Sequence, residues 1–355
     1  MTQQCGLTEE ARDVKALAIT GYGLDNAAVA EFDDPIPGPG EVLVRVRAAA
    51  LNRLDLWTAG GALKIEHEFP HILGADAAGD IEALGEGVQA PQPGTKVVVN
   101  PALSCGACEF CRSGEQSMCT TFRMLGEHVP GTLAERIVVP ATNVFPLPQH
   151  LSFTEGAALG VTFITAHRML FTRGRLVPGE WVLVTGIGGG LALSLFQLAR
   201  PIAGKVFVTS SSQAKLDRAL EIGADGGVDY SRDDVGKSVR KLTYKRGVDL
   251  VVDSAGGTAL EAAMRALRKG GRMVVAGATA GARAEIDVRR LFWNQVAIIG
   301  STMGSDGDVS DMLRNVAGSS IRPVIDRSFV LSEAVDALRY LDSGDQFGKV
   351  VVEMS

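Results

Sequence analysis

The chain has 355 residues, enough for two structural units rather than one core, and 46% of them are hydrophobic. Its formal net charge of −6 excludes the bulk cationic surface that holds nucleic acid or an acidic membrane. No apolar run approaches the ~20 residues of a membrane span, and the polar start MTQQCGLTEEARD lacks the apolar stretch of an export signal, so a cytoplasmic protein with reduced thiols is expected.

Residues 1 to about 13 read as a loose leader, with Cys5 an ordinary free thiol. From Val14 to about Pro148, short β-like runs alternate with turn clusters. The runs include Lys15–Thr20, Glu41–Ala50, Gly79–Gly85 and Thr95–Asn100; the turns include Pro35–Gly40 and Ala90–Gly94. This pattern predicts an antiparallel, barrel-like domain. One excursion interrupts it, carrying Cys105, Cys108, Cys111 and Cys119 at the spacing C-x2-C-x2-C-x7-C. Four soft thiolates with no open position describe a closed, structural zinc site. Two disulfides or an iron–sulfur cluster would use the same residues, but the tight spacing of the first three favours one shared ion. None of the histidines His67, His71, His128, His150 and His167 stands at a spacing that calls for a metal.

Past about Leu151 the rhythm changes to strands alternating with helices. Strands are predicted at Trp181–Gly186, Lys205–Ser210, Asp249–Ser254 and Gly271–Gly277. Helices are predicted at Leu191–Arg200 (closed by Pro201), Gln213–Gly223 and Ala259–Gly270. Such βαβ alternation implies a parallel sheet covered on both faces. The tail, from about Ser305, holds a predicted helix at Ser332–Gly344 and a last strand at Gly348–Glu353, and is expected to return to the first domain.

The loop Thr185-GIGGGLALS lies between strand and helix, the context a dinucleotide fingerprint needs. Gly186 permits the tight turn, Gly189 or Gly190 lets backbone approach a pyrophosphate, and Ala192 allows close helix–sheet packing. An acid ~20 residues on would bind the ribose diol of NAD. Ser210 stands there, followed by Ser211, Ser212 and Lys215, which offer hydrogen bonds and positive charge to a 2′-phosphate. The serines also read as a helix cap. NADPH is therefore expected over NADH.

Together these elements resemble the medium-chain dehydrogenase/reductase superfamily over nearly the whole chain. The likeness runs through Asn52–Trp57, Pro70–Ile81, the cysteine excursion, Gly131–Asn143, Leu159–Leu170, the glycine loop and Gly300–Gly304. It is nearest to the zinc-binding, quinone-oxidoreductase-like branch. The resemblance implies an α/β protein with a GroES-like β-barrel catalytic domain at 1–150 and 303–355, its zinc lobe at 100–120. A Rossmann doubly wound parallel sheet at 151–302 and a cleft between the two domains complete the expectation. Where the zinc alcohol dehydrogenases of that superfamily hold a catalytic metal, this chain has Asn52, Ala75 and Val161, with Asp76 beside them. Three protein ligands are normally needed, so one structural zinc and no catalytic zinc are expected.

The activity this implies is hydride transfer from NADPH to a quinone or an α,β-unsaturated carbonyl. The alternatives are an alcohol or aldehyde dehydrogenase-like enzyme and a cofactor-binding protein with little catalysis. By resemblance, Thr165, Gly277 and Ile299 would lie along the nicotinamide, and Tyr230 would reach the 2′-phosphate. Asn52 and Asp55 are the catalytic candidates, although Asp55 also reads as a structural partner to a backbone amide or to Arg53. Trp57, Phe69 and Phe163 are candidates for an apolar substrate pocket. A homodimer is expected, formed by pairing the strand Val296–Met303 with its copy.

Overall fold

A computed structural model describes residues 13–63 and 65–354; Cys5 and the leader lie outside the described residues. The N-terminal domain is antiparallel, as the alternation of short strands and turns predicts. Strand Val14–Ile19 pairs with Ala27–Phe32 and His71–Ile72 in a three-stranded sheet. A seven-stranded sheet runs from Val144–Pro146 through Lys96–Val99, Asp76–Leu84, Glu41–Ala50 and Lys349–Glu353 to Ile325–Val330, and Arg136–Pro140 pairs with Glu41–Ala50 as well. Both sheets face one apolar core that includes Leu17, Ile19, Val44, Leu73, Ile81, Leu133 and Val350. The tail returns as expected: Val351–Glu353 pairs antiparallel with Ala48–Ala50. That pairing sets Lys349 into the wall of this domain.

The second domain holds a six-stranded, wholly parallel sheet. Its spatial order is Gly226–Asp229, Lys205–Ser210, Trp181–Val184, Val248–Asp253, Leu267–Val275, Ala297–Gly300. Strand order therefore reverses between Trp181–Val184 and Val248–Asp253, and the crevice at such a switch point is where this Rossmann arrangement binds ligands. All six residues of Val248–Asp253 are buried, as a strand covered on both faces requires.

One local expectation changes. The helix predicted over Ala259–Gly270 is Gly257–Met264, and Leu267 already pairs with Val248 in a strand reaching Val275. Burying Leu267 in the sheet overrides the helical propensity of its neighbours. Ahead of the sheet, the helix Gly160–His167 continues into a π-helical stretch, Arg168–Arg173. The helix Asp306–Ala317 packs against Gly160–His167. Among the described residues no helix is long and apolar enough to cross a membrane.

Candidate active site

A cleft of about 1700 Å³ runs between the two domains, from the glycine loop to the zinc-lobe side of the barrel. A buried polar cluster closes one wall. The Asp76 side chain is fully buried; its Oδ1 accepts the Val161 N–H at 2.6 Å, and its Oδ2 accepts from Asn52 Nδ2 at 2.9 Å and Lys349 Nζ at 3.0 Å. Lys349 Nζ also donates to Asn52 Oδ1 at 2.7 Å. A Cβ on Gly160 would stand 2.1 Å from Asp76 Oδ1, so only glycine lets the helix Gly160–His167 begin this close to the carboxylate. Asn52 and Lys349 line the cleft; Asp55 does not. Asp55 lies in the first turn of Arg53–Ala59 and accepts the Asn52 N–H at 2.7 Å. Burial pushes its carboxyl up to about 7, against the pull of that amide, and the nearby Asp76 charge raises it further. Of the aromatic candidates, Trp57 lines the cleft. Phe163 is core, and Phe69, which meets Tyr22 edge-on, is not among the residues lining it.

The cofactor side follows the glycine loop. Gly186 and Gly188 hold positive φ, at 69° and 115°. The faces of Gly186 and Gly189 are open, leaving room for a ligand against the backbone. Gly190 is constrained differently: a Cβ there would meet Lys349 Cδ at 2.8 Å. A Cβ on Gly188 would meet Lys215 Cδ at 2.6 Å. Two lysine stems thus cross the loop, and the amides at the start of Gly190–Ala199 add the positive end of a helix. Ser210, Ser211, Lys215 and Tyr230 all line the cleft beyond it. Ser210 Oγ accepts the Ser212 N–H at 3.2 Å, and Lys215 Nζ donates to Gly344 O at 2.6 Å. Thr165 and Gly277 line the far end; Ile299 does not, and the segment Gly300–Met303 lines it in its place. Ser301 Oγ is buried there, and Gln346 Oε1 is buried in the segment beside the glycine loop, each without a partner among the described residues. The open glycines, the cationic rim and these two unpaired polar atoms fit a bound nicotinamide dinucleotide.

The cysteine excursion brings its four sulfurs together, all within 4.8 Å of one another. Cys105 and Cys111 stand 3.9 Å apart, and Cys108 and Cys111 3.5 Å. These separations exceed a disulfide bond and match the about 3.8 Å spacing that four 2.3 Å bonds impose around a tetrahedral ion. Backbone amides of Cys105 and Cys108 donate to the Cys119 and Cys105 sulfurs. Among the described residues this is the one cluster of three or more metal-ligating side chains. The excursion also reaches the cleft through Ser117 and Met118. It is tied to the Rossmann side by Arg168, whose buried guanidinium bridges Glu115 at 2.5 Å and Asp308 at 2.7 Å.

Residues 38–149 match the alcohol dehydrogenase GroES-like domain family, and residues 190–318 match the zinc-binding dehydrogenase family. A zinc-type alcohol dehydrogenase-like protein of Leptosphaeria maculans is 33% identical, covering 90% of this chain and 92% of the relative. A crystal structure of an NAD-dependent alcohol dehydrogenase superposes with a TM-score of 0.92 at 40% identity, covering 96% of this chain and 100% of that one. The chain belongs to the medium-chain dehydrogenase/reductase superfamily. Within it the relatives bear out the quinone-oxidoreductase-like branch. The acryloyl-coenzyme A reductase of Metallosphaera sedula, for example, is 29% identical over 96% of this chain and 99% of its own. The GroES-like and Rossmann architecture expected for this superfamily is present, and an oxidoreductase acting on a small molecule follows.

Sequence reasoning missed Lys349, Arg168, Ser301 and Gln346. A lysine directly before the apolar run Val350–Val352 was the available signal for the first, and an arginine inside the apolar run Phe163–Phe171 for the second. Nothing in sequence marked Ser301 or Gln346.

Proposed function

We propose that this chain is an NADPH-dependent reductase of quinones or α,β-unsaturated carbonyls, working without a catalytic metal and carrying one structural zinc. The observation that supports it is the wall of the cleft. Asn52 and Val161 line it and Ala75 is buried behind it, and by the resemblance these are the positions where the zinc alcohol dehydrogenases of the superfamily hold their catalytic metal. The one acid among them, Asp76, is already engaged by three hydrogen bonds. Such a donor set does not make a three-ligand zinc site. An acceptor whose carbon is already electrophilic through conjugation does not need one.

When bound, the nicotinamide supplies the hydride; the chain orients it and shapes the pocket. The open backbone at Gly186 and Gly189 and the helix terminus hold the phosphates. Ser210 and Ser211, with Lys215 and Tyr230 beside them, receive the 2′-phosphate. Thr165 and Gly277 hold the nicotinamide end, where Ser301 Oγ awaits a donor or acceptor. Asn52 lines the opposite wall with its amide held by Asp76, Ala50 and Lys349, and Trp57 and Met118 supply apolar contact. Asp55, set behind Asn52, positions that residue rather than touching substrate.

A second reading, an alcohol or aldehyde dehydrogenase using NAD, is favoured by the alcohol dehydrogenase relatives; the missing metal ligands and the serine at position 210 weigh against it. A panel assay separates them. NADPH and NADH consumption with quinones, enones and aldehydes should show NADPH oxidised by the conjugated acceptors. Reversible oxidation of a simple alcohol with NAD, and no quinone or enone turnover, would refute the proposal.

A further inference from the structure

Three histidines meet at the turn 124–129, and only one of them needs a proton on both ring nitrogens. His71 Nε2 donates to Gly126 O at 3.1 Å, and His128 Nδ1 accepts the Met124 N–H at 3.2 Å. A neutral imidazole has one donor and one acceptor, so a neutral ring satisfies each of these. His67 differs. Its Nε2 lies 2.7 Å from Glu127 O, and a carbonyl oxygen can only accept. Its Nδ1 lies 3.2 Å from the Tyr22 hydroxyl, whose single proton is donated to Ile65 O at 2.7 Å. Both ring nitrogens must therefore donate, and the arrangement calls for the imidazolium. Little else holds the segment 65–70. Among the described residues it makes no backbone–backbone hydrogen bond. Its polar anchors are the Tyr22 hydroxyl on Ile65 O and the His67 ring, with Phe69 edge-on to Tyr22 and the His71 ring 4.4 Å from that of His67. The turn that His67 reaches begins at Met124, which lines the cleft.

We propose that His67 is a proton-dependent tether, which holds the segment 65–70 to the Glu127 turn when charged and releases it when neutral. Loss of the Nε2 proton breaks the bond to Glu127 O. Loss of the Nδ1 proton sets the ring against the Tyr22 oxygen, unless Tyr22 turns its own proton to the ring and abandons Ile65 O. Either way one of the three hydrogen bonds goes. The tether is therefore complete at low pH and is lost as pH rises and the ring gives its proton to solvent. The other titratable groups around His67 do not produce this pattern. Burial holds the His71 ring below the usual imidazole range, against the pull of the Gly126 carbonyl, and the His67 charge pushes it lower; its bond needs only the neutral form. His128 would lose the Met124 amide on gaining a proton, an effect of opposite sign. Burial pushes the Glu127 carboxyl up, and the His128 and His67 rings pull it back. Glu127 meets His67 through its backbone oxygen, so ionising its carboxyl breaks no bond of the tether and favours the charged ring. Glu66 and Glu68, on the segment itself, are exposed.

The test uses the full chain and a glutamyl endopeptidase, which cuts after Glu66 and Glu68. Each cleavage rate is divided by that of a free peptide of the same sequence at the same pH, which removes the pH dependence of the protease. In wild type this ratio should rise about tenfold between pH 5 and pH 8, the weight of one hydrogen bond to a charged group. His67→Gln should be cut fast at both. Tyr22→Phe removes the second acceptor, so a neutral ring with its proton on Nε2 still serves Glu127, and the ratio should be the same at both pH values. A purely structural His67 would not lose its pH step through Tyr22. In ¹⁵N spectra of histidine-labelled wild type, the His67 signals are those missing from His67→Gln. They should report loss of the ring proton over the range in which cleavage rises. A wild-type ratio that is flat or falls with pH would overturn the proposal, as would a step that survives in His67→Gln or in Tyr22→Phe. If His67→Gln does not fold, Tyr22→Phe keeps the ring in place and decides the point alone.

Discussion

Asp55 is a carboxyl set into the first turn of a helix, in the apolar heart of the barrel domain, with one oxygen unpaired. Because its carboxyl is raised to about 7, it favours the folded state most below the usual carboxylate range near 4, and that contribution is lost as pH rises through 7. Asp55→Asn mimics the neutral form. Its melting temperature relative to wild type should therefore improve between pH 5 and pH 8, by the equivalent of a few kcal/mol, as read by calorimetry. An unchanged difference across that range would show that Asp55 does not titrate there. Ser210 carries the cofactor prediction. It ends its strand beside Asp229, whose Oδ1 accepts from the Ser231 amide and hydroxyl. Ser210→Asp should weaken NADPH binding by about tenfold or more, through repulsion of the 2′-phosphate, and strengthen NADH binding. Fluorescence titration of both nucleotides checks it; equal wild-type affinities would sink the preference. The cysteines and the glycine loop were legible because their spacing alone carries the chemistry. Lys349 was not, since nothing in a short apolar strand tells which domain its first side chain will enter.

The cysteine excursion is more than a stability device. Four sulfurs converge within a stretch of backbone, and the same stretch delivers Ser117 and Met118 to the cleft and Glu115 to Arg168. Asp308, on the far side of Arg168, is buried, which opposes its charge. The His167 ring 3.6 Å away and hydrogen bonds from Thr172, Ser305 and Arg168 nevertheless hold its carboxyl well below the ordinary range. The excursion is thereby pinned to the Rossmann side by a charged pair that is costly to break. Cys108→Ser should abolish zinc binding by the excursion, lower the melting temperature and raise KM for the acceptor more than KM for NADPH. Elemental analysis should give one zinc per wild-type chain and none in the variant; two tightly held zincs in wild type would contradict the assignment. The strands Trp181–Val184, Lys205–Ser210 and Val248–Asp253 and the helices Gly190–Ala199 and Gln213–Glu221 were readable from period and glycine punctuation; the strand Gly226–Asp229 and the helix Val235–Leu242 were not. The π-helical turn at Arg168–Arg173 was not. It depends on partners distant in sequence, with Arg272 Nε donating to Gly174 O and Thr172 donating to Asp308.

At the scale of the molecule, the parallel sheet ends in Ala297–Gly300, whose outer edge has no neighbouring strand among the described residues. Next to it, the helix Val288–Asn294 exposes Val288, Phe292 and Trp293, the last 71% exposed. An uncovered strand edge beside exposed aromatic residues is a hazard in a monomer, and pairing with a second copy about a two-fold axis relieves it. We therefore propose a homodimer through this edge. Sedimentation at micromolar concentration should find dimers, and Ile298→Lys should give monomers or insoluble protein; a monomeric wild type would reject the interface. The two-domain plan was legible from the change of rhythm near Leu151. How the domains interlock was not, because that depends on side chains that cross between them. Gly190 belongs to the Rossmann loop, yet the space above it is filled by the stem of Lys349 from the barrel's last strand. For a gene, this is a heritable linkage between two distant stretches. A chimera that exchanges the nucleotide-binding half between relatives must carry the C-terminal strand with it, or inherit a hole where the lysine lay or a collision where it stays.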